Sequence, residues 1–106
     1  MNLFVLSCEN NKYYLDLTTD NITVGKPYNI ETEWTKLYKP VKIVRVDKNS
    51  TIRDLNETVY EYFDKYGIEN VRGGIFSEPY LSDTQLLSIR ARLENLTFDF
   101  DEELEC

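Results

Sequence analysis

The sequence predicts a small α+β fold, in which a three-stranded, mainly antiparallel sheet is covered by helices. Three short runs rich in β-branched and aromatic residues occupy the first half of the chain. Two segments with apolar residues at helical spacing occupy the second half, after a stretch broken by Gly25 and Pro27. With 106 residues, the chain is long enough for one compact domain and too short for two. Strands followed by helices are typical of α+β architecture.

The first two predicted strands form a hairpin. They are "LFVLS" at Leu3–Ser7 and "KYYLDL" at Lys12–Leu17, and Glu9–Asn11 between them includes two asparagines, which tolerate the positive φ of a tight turn. The third strand is "PVKIVRV" at Pro40–Val46, where the proline stands at the start and its missing amide does least harm. Before it, the segment "ETEWTKLY" has room for a short helical turn at most.

The first long helix is predicted in "TIRDLNETVYEYFDKYG", whose apolar stripe consists of Leu55, Val59, Tyr62, Phe63 and Tyr66. Gly67 supplies the left-handed residue that ends a helix. The following "ENVRGGIFS" reads as a loop with at most a short extended piece.

The second long helix carries a complete start signal. Ser82 is the cap, Gln85 follows three positions later, and Leu81 is placed to pack on Leu86. We expect this helix to run from about Asp83 to Asn95, with an apolar stripe at Leu86, Ile89, Leu93 and Leu96. The predicted domain covers residues 1–97, and residues 98–106 form an acidic tail.

Composition excludes some kinds of site. The chain has no His, so catalysis by His is excluded, and the spacing of its two cysteines, Cys8 and Cys106, argues against a structural zinc site. The start "MNLFVLSCENN" has neither a basic leader nor a long apolar run, so we expect an intracellular protein without a membrane span.

Charge is unevenly placed along a chain whose net charge is −7. Residues 36–53 contain a single acid, Asp47, among six basic residues. All of the charged residues after Arg92 are acidic. A local basic face can bind nucleic acid, and its candidates here are Lys36, Lys39, Lys42 and Arg45. Because the negative net charge of the chain opposes phosphate binding, we favour the other interpretation, in which these side chains solvate strand edges.

Two further motifs have alternative interpretations. Trp34 and Tyr38 lie four residues apart and could stack on bases, but a single Trp beside a strand is more often a core anchor. Arg72 precedes Gly73 and Gly74, an arrangement that can present a guanidinium and bare amides to a phosphate. Such a glycine pair is more often a tight turn.

Two motifs carry a resemblance to a known family. The chain has "WTKLYKP" at Trp34–Pro40 and "KYGIENVRGG" at Lys65–Gly74, both after an amino-terminal hairpin. In these it resembles the GIY-YIG nuclease superfamily, and most closely the divergent GIY-YIG-like domains of large DNA viruses of eukaryotes. The resemblance covers residues 3–95. It implies a GIY-YIG-like fold in a viral protein, with the host cytoplasm, the nucleus or the virion as its location.

The resemblance also implies a catalytic site, which this chain does not complete. Phosphodiester hydrolysis in the family relies on tyrosines of the two hairpin strands, a helix arginine, and a glutamate that holds a divalent metal. Of these only Tyr14 matches cleanly, since Phe4 and Val5 stand near the first tyrosine's place and no arginine precedes Arg45. Asp16 replaces the family's glycine and adds negative charge where a phosphate would approach.

These departures predict a catalytically inactive domain without a cofactor, serving as a binding or structural module. Glu57 and Glu61 are the candidate glutamates, and both are equally explained as the solvated face of a helix. The alternative is a Mg²⁺-dependent nuclease that uses Tyr14, with Glu61 as the metal ligand. We expect a protein partner in preference to nucleic acid. The sequence does not indicate an oligomeric state.

Overall fold

The computed structural model describes the backbone of residues 1–105 and the side chains of residues 1–94. Over this part of the chain it forms a small α+β fold with one four-stranded mixed sheet and three α-helices. The elements, in chain order, are β1 (Asn2–Cys8), β2 (Lys12–Thr18), α1 (Glu33–Leu37), β3 (Pro40–Asp47), α2 (Ile52–Tyr66), β4 (Val71–Gly73) and α3 (Asp83–Glu105).

The strands lie in the order β3-β1-β2-β4. The pairs β1–β2 and β1–β3 are antiparallel, as the sequence predicts. The sheet has one strand more than the three expected: β4 lies in the segment where a short extended piece is expected, and it adds to β2 in parallel orientation, which makes the sheet mixed. A strand of three residues is too short to show an alternating pattern, so its pairing had no signal in the sequence.

Gly73 permits the close approach of β4 to β2. It has φ +155°, and a Cβ at this position would lie 2.2 Å from the backbone oxygen of Leu15. A glycine is therefore required by the packing of two backbones. At the other end of β2, the hairpin turn places Asn10 and Asn11 at φ 62° and 57°, which confirms the predicted role of these asparagines.

The sheet has a core on each face. Because side chains alternate along a strand, β1 sends Leu3 and Val5 to one face and Phe4 and Leu6 to the other, and all four are buried. The first core, completed by α2 and α3, contains Leu3, Val5, Leu15, Leu55, Val59, Phe63, Val71, Phe76 and Ile89. The second, covered by α1 and the preceding segment, contains Phe4, Leu6, Cys8, Tyr14, Trp34 and Ile43.

Local sequence signals start both long helices and end α2. In α2, Thr51 and Asp54 form a capping box, and Gly67 at φ 97° follows the last residue and donates its N–H to the Phe63 oxygen. In α3, the predicted box is present, with Ser82 and Gln85 exchanging backbone-to-side-chain hydrogen bonds of 2.9 and 3.1 Å.

The extent of α3 differs from the prediction. The helix continues to Glu105, beyond the predicted end near Asn95. The side chains of Leu96 and of the predicted acidic tail, residues 98–106, lie outside the part that the structure describes. None of the helices in the described part of the chain is long and apolar enough to cross a membrane.

Candidate functional site

The candidate site is built on β2, where Tyr14 and Asp16 are two residues apart and so point to the same face. The Tyr14 hydroxyl donates to Asp16 Oδ2 over 2.7 Å, and Asp16 Oδ1 accepts from the Leu17 amide over 2.8 Å. Tyr14 itself is only 4% exposed. The phenol is thus a hydrogen-bonded member of the second core.

The surroundings of Tyr14 oppose its ionisation. Burial, and next the hydrogen bond and negative charge of Asp16, raise the pKa of Tyr14 well above its ordinary value. A general base must accept a proton near neutral pH. Tyr14 is therefore held in the neutral form, with its proton directed at a carboxylate.

A cleft of about 690 Å³ opens beside this pair, between β2, the start of α1 and the loop at residues 74–80. Its charged lining residues are Asp16, Glu33 and Glu78, and no described Lys or Arg lines it. A phosphodiester entering the cleft would meet three carboxylates and no cation, so the local electrostatics oppose its binding.

The alternative site would require Tyr14 and Glu61 to converge, and the structure does not bring them together. Glu61 is exposed on α2, which covers the first face of the sheet, whereas Tyr14 belongs to the core on the second face. Within the described residues, no group of three or more His, Cys, Asp or Glu side chains is placed to hold a metal ion. The described residues therefore do not fit the Mg²⁺ that the resemblance implies.

Arg72 has a structural environment that its sequence motif did not indicate. It lies on β4 next to Tyr14 and is 5% exposed. Its guanidinium donates to the backbone oxygens of Ile68, Val71, Glu78 and Pro79, over distances from 2.5 to 2.9 Å. Its central carbon lies 4.7 Å from the centre of the Trp34 ring. Arg72 thus joins the loop at 78–79 to the sheet.

The glycines after Arg72 serve the fold. Gly73 exchanges backbone hydrogen bonds with Phe76 over 2.9 and 3.0 Å, so its amide is occupied. Gly74 has φ +58°, and a Cβ there would lie 2.5 Å from the Asn56 side-chain oxygen. The pair forms a tight turn against α2, the alternative that the sequence analysis favoured over a phosphate-binding loop.

Trp34 is a core residue. It is 2% exposed, its indole N–H donates to the Tyr13 oxygen over 3.0 Å, and Tyr38 packs edge-on against it at 4.7 Å. A ring buried in this way has no free face for a nucleic-acid base. The core-anchor interpretation is the one that this environment favours.

The basic candidates do not lie on a single element. Lys36, Lys39 and Lys42 are exposed on α1, its following loop and the edge strand β3. Arg45 pairs with Asp47 at 2.8 Å, and this hydrogen bond raises the pKa of Arg45. One of the four positive charges is thus already compensated.

Comparison with protein-family models, curated proteins and solved structures finds no match for this chain.

Proposed function

We propose that the chain is a catalytically inactive GIY-YIG-like domain that acts as a binding or structural module with a protein partner. One observation carries the proposal: the cleft beside Tyr14 is lined by three carboxylates and by no described cation. Nuclease chemistry needs positive charge or a metal where negative charge develops on the phosphate. The hydrogen bond from Tyr14 to Asp16 adds to the argument, because it occupies the hydroxyl that the family would use.

The wider implications of the resemblance remain predictions of the same proposal. They are a viral source, association with a virion, and residence inside the host cell. The family membership from which they follow rests on the "WTKLYKP" and "KYGIENVRGG" segments.

The test is a plasmid-nicking assay with Mg²⁺ or Mn²⁺. Loss of one transition-state donor typically costs on the order of a hundredfold to a thousandfold in rate, so a site without the arginine and one tyrosine should give no measurable cleavage. The controls are Tyr14→Phe and Glu61→Gln, which remove the two residues of the nuclease alternative. Metal-dependent nicking that either substitution abolishes would replace this proposal with the nuclease.

A further inference from the structure

A second depression shares Pro79 and Tyr80 with the acidic cleft but has a different character. It is a groove of about 680 Å³ between the end of α2, the first turns of α3 and the loop at residues 79–81. Its walls include the apolar side chains of Phe63, Ile68, Leu81, Leu86 and Leu93. Tyr80 stands at its border and is 83% exposed. The volume is in the range of ligand-binding clefts.

The groove contains a buried positive charge without a bonded counter-charge. The four hydrogen bonds of the Arg72 guanidinium described above end on neutral backbone oxygens. Burial accordingly lowers the pKa of Arg72, although the nearby Glu69 and Tyr38 act in the opposite direction. Buried charges are normally paired with an opposite charge. A carboxylate in the groove would supply one.

The other charges around the groove add to this field. Lys12 and Arg90 line it together with Arg72, and Asp64 and Glu69 are the acids among its lining residues. Three cations against two acids leave a local charge of +1 in a chain whose net charge is −7. Apolar walls with excess positive charge are complementary to a peptide that carries both aromatic and acidic side chains.

The chain contains such a peptide in "FDFDEELE", which begins at Phe98. We infer that the groove of one copy binds the Phe98–Asp101 segment of a second copy through the aromatic and acidic character of that segment. This inference rests on the proposed function as a protein-binding module and names its partner.

The geometry of α3 explains why the segment comes from a second copy. The helix lines the groove with Leu86, Arg90 and Leu93 and then continues to Glu105. At about 1.5 Å per residue, Phe98 to Glu105 lie roughly 8 to 18 Å farther along the helix than Leu93. The tail therefore leads away from the groove of its own chain. Two copies that exchange tails would form a closed, two-fold pair.

The experiment is sedimentation velocity of the intact chain over a wide concentration range, with a reductant so that Cys106 cannot cross-link copies. We expect a reversible dimer that weakens as salt rises. The double variant Phe98→Ala/Phe100→Ala and the charge reversal Arg90→Glu should each weaken dimerisation at least tenfold. Lys48→Glu changes the net charge as Arg90→Glu does, at an exposed position outside the groove, and should leave the dimer unchanged.

A charge exchange separates loss of the contact from loss of the fold. Combining Arg90→Glu with Asp99→Lys and Asp101→Lys should restore dimerisation. In a second arm, a fluorescent peptide of residues 97–105 should bind the Phe98→Ala/Phe100→Ala variant and bind at least tenfold more weakly when Arg90→Glu is added.

A monomer at every concentration would overturn the inference, even if the peptide bound, because the occupant would then be another protein. A dimer that is insensitive to both the tail and the Arg90 substitutions would overturn it as well, since copies would meet elsewhere. The nicking assay is independent of these results. DNA cleavage would refute the proposed function and would say nothing about the dimer. A monomeric protein that does not cleave DNA would refute only this inference.

Discussion

The hydroxyl of Tyr14 donates to Asp16 because residues two apart on a strand share a face. The same alternation sends Tyr13 to the other face, where it stacks on Tyr66 with ring centres 4.4 Å apart. The two tyrosines therefore point to opposite faces of the sheet. The pairing of Tyr14 with Asp16 could have been inferred from the same period, and it is the signal that the sequence interpretation missed.

The environment of Tyr14 beside Asp16 should make the free energy of unfolding fall at alkaline pH. The pKa of Tyr14 is raised in the folded protein, so its contribution is fully present below the unfolded value of about 10 and is lost as pH rises toward the folded value. Between about pH 9 and 11, the free energy of unfolding should fall more steeply for the wild type than for Tyr14→Phe. Urea unfolding at each pH measures both slopes. The other tyrosines are common to both proteins, so equal slopes would contradict the assignment.

Arg72 allows a second prediction at the residue scale. Arg72→Lys keeps the charge but replaces a planar fork by a single ammonium group, which cannot reach four backbone oxygens. We expect a loss of about 2 to 4 kcal/mol in the free energy of unfolding, since buried acceptors lose their donors.

The control for Arg72 is Arg53→Lys. Arg53 is an exposed α2 residue that pairs with Glu57 at 3.2 Å, and its substitution should change stability by less than about 0.5 kcal/mol. Equal effects of the two substitutions in chemical denaturation would show that the Arg72 hydrogen bonds do not hold the loop.

At the scale of elements, β4 depends on Gly73. Gly73→Ala places a methyl group 2.2 Å from the Leu15 oxygen, so β4 must move away from β2. We expect a loss of more than about 2 kcal/mol. Gly25→Ala is the matched control, because Gly25 also has a positive φ but nothing lies within 4 Å of the added Cβ. That variant should lose only about 1 kcal/mol, from backbone strain. Thermal or urea unfolding compares the two, and equal losses would exclude the backbone clash.

The edge strand β3 is protected without any help from a partner. The Ile43 amide and carbonyl are bonded to Lys26 and Gly25, over 2.9 and 2.7 Å. Two irregularities interrupt its pairing with β1, and Pro40 stands at its start. Edge strands that are covered and bulged resist the addition of another strand. The structure therefore disfavours the addition of a further strand along this edge.

The elements that could be predicted from the sequence are those with local signals. The asparagines of the turn indicate the hairpin, and an apolar stripe followed by Gly67 indicates α2. The Ser82–Gln85 capping box indicates the start of α3. The parallel pairing of β4 depends on contacts between residues far apart in the chain, as with Tyr13 and Val71, and no short pattern encodes it. The surroundings of Arg72 likewise depend on contacts between distant residues, because they are assembled from β4, α1 and a loop. They could therefore not be predicted from a local sequence pattern.

At the scale of the whole molecule, opposite charges occupy different surfaces. The cleft beside Tyr14 is acidic, the groove beside α3 is locally positive, and Lys36, Lys39 and Lys42 are exposed around α1 and β3. With a net charge of −7, long-range repulsion opposes the approach of a polyanion to any of them. This charge distribution is one reason why we propose a protein partner.

Our proposal that this domain binds protein in place of nucleic acid can be tested by the affinity of the intact chain for DNA as salt is varied. Fluorescence anisotropy with a labelled duplex between about 50 and 200 mM salt covers the range in which phosphate contacts show a steep dependence. We expect no measurable binding even at the lowest salt. Tight binding that falls steeply with salt, and that Lys39→Glu together with Lys42→Glu abolishes, would contradict it.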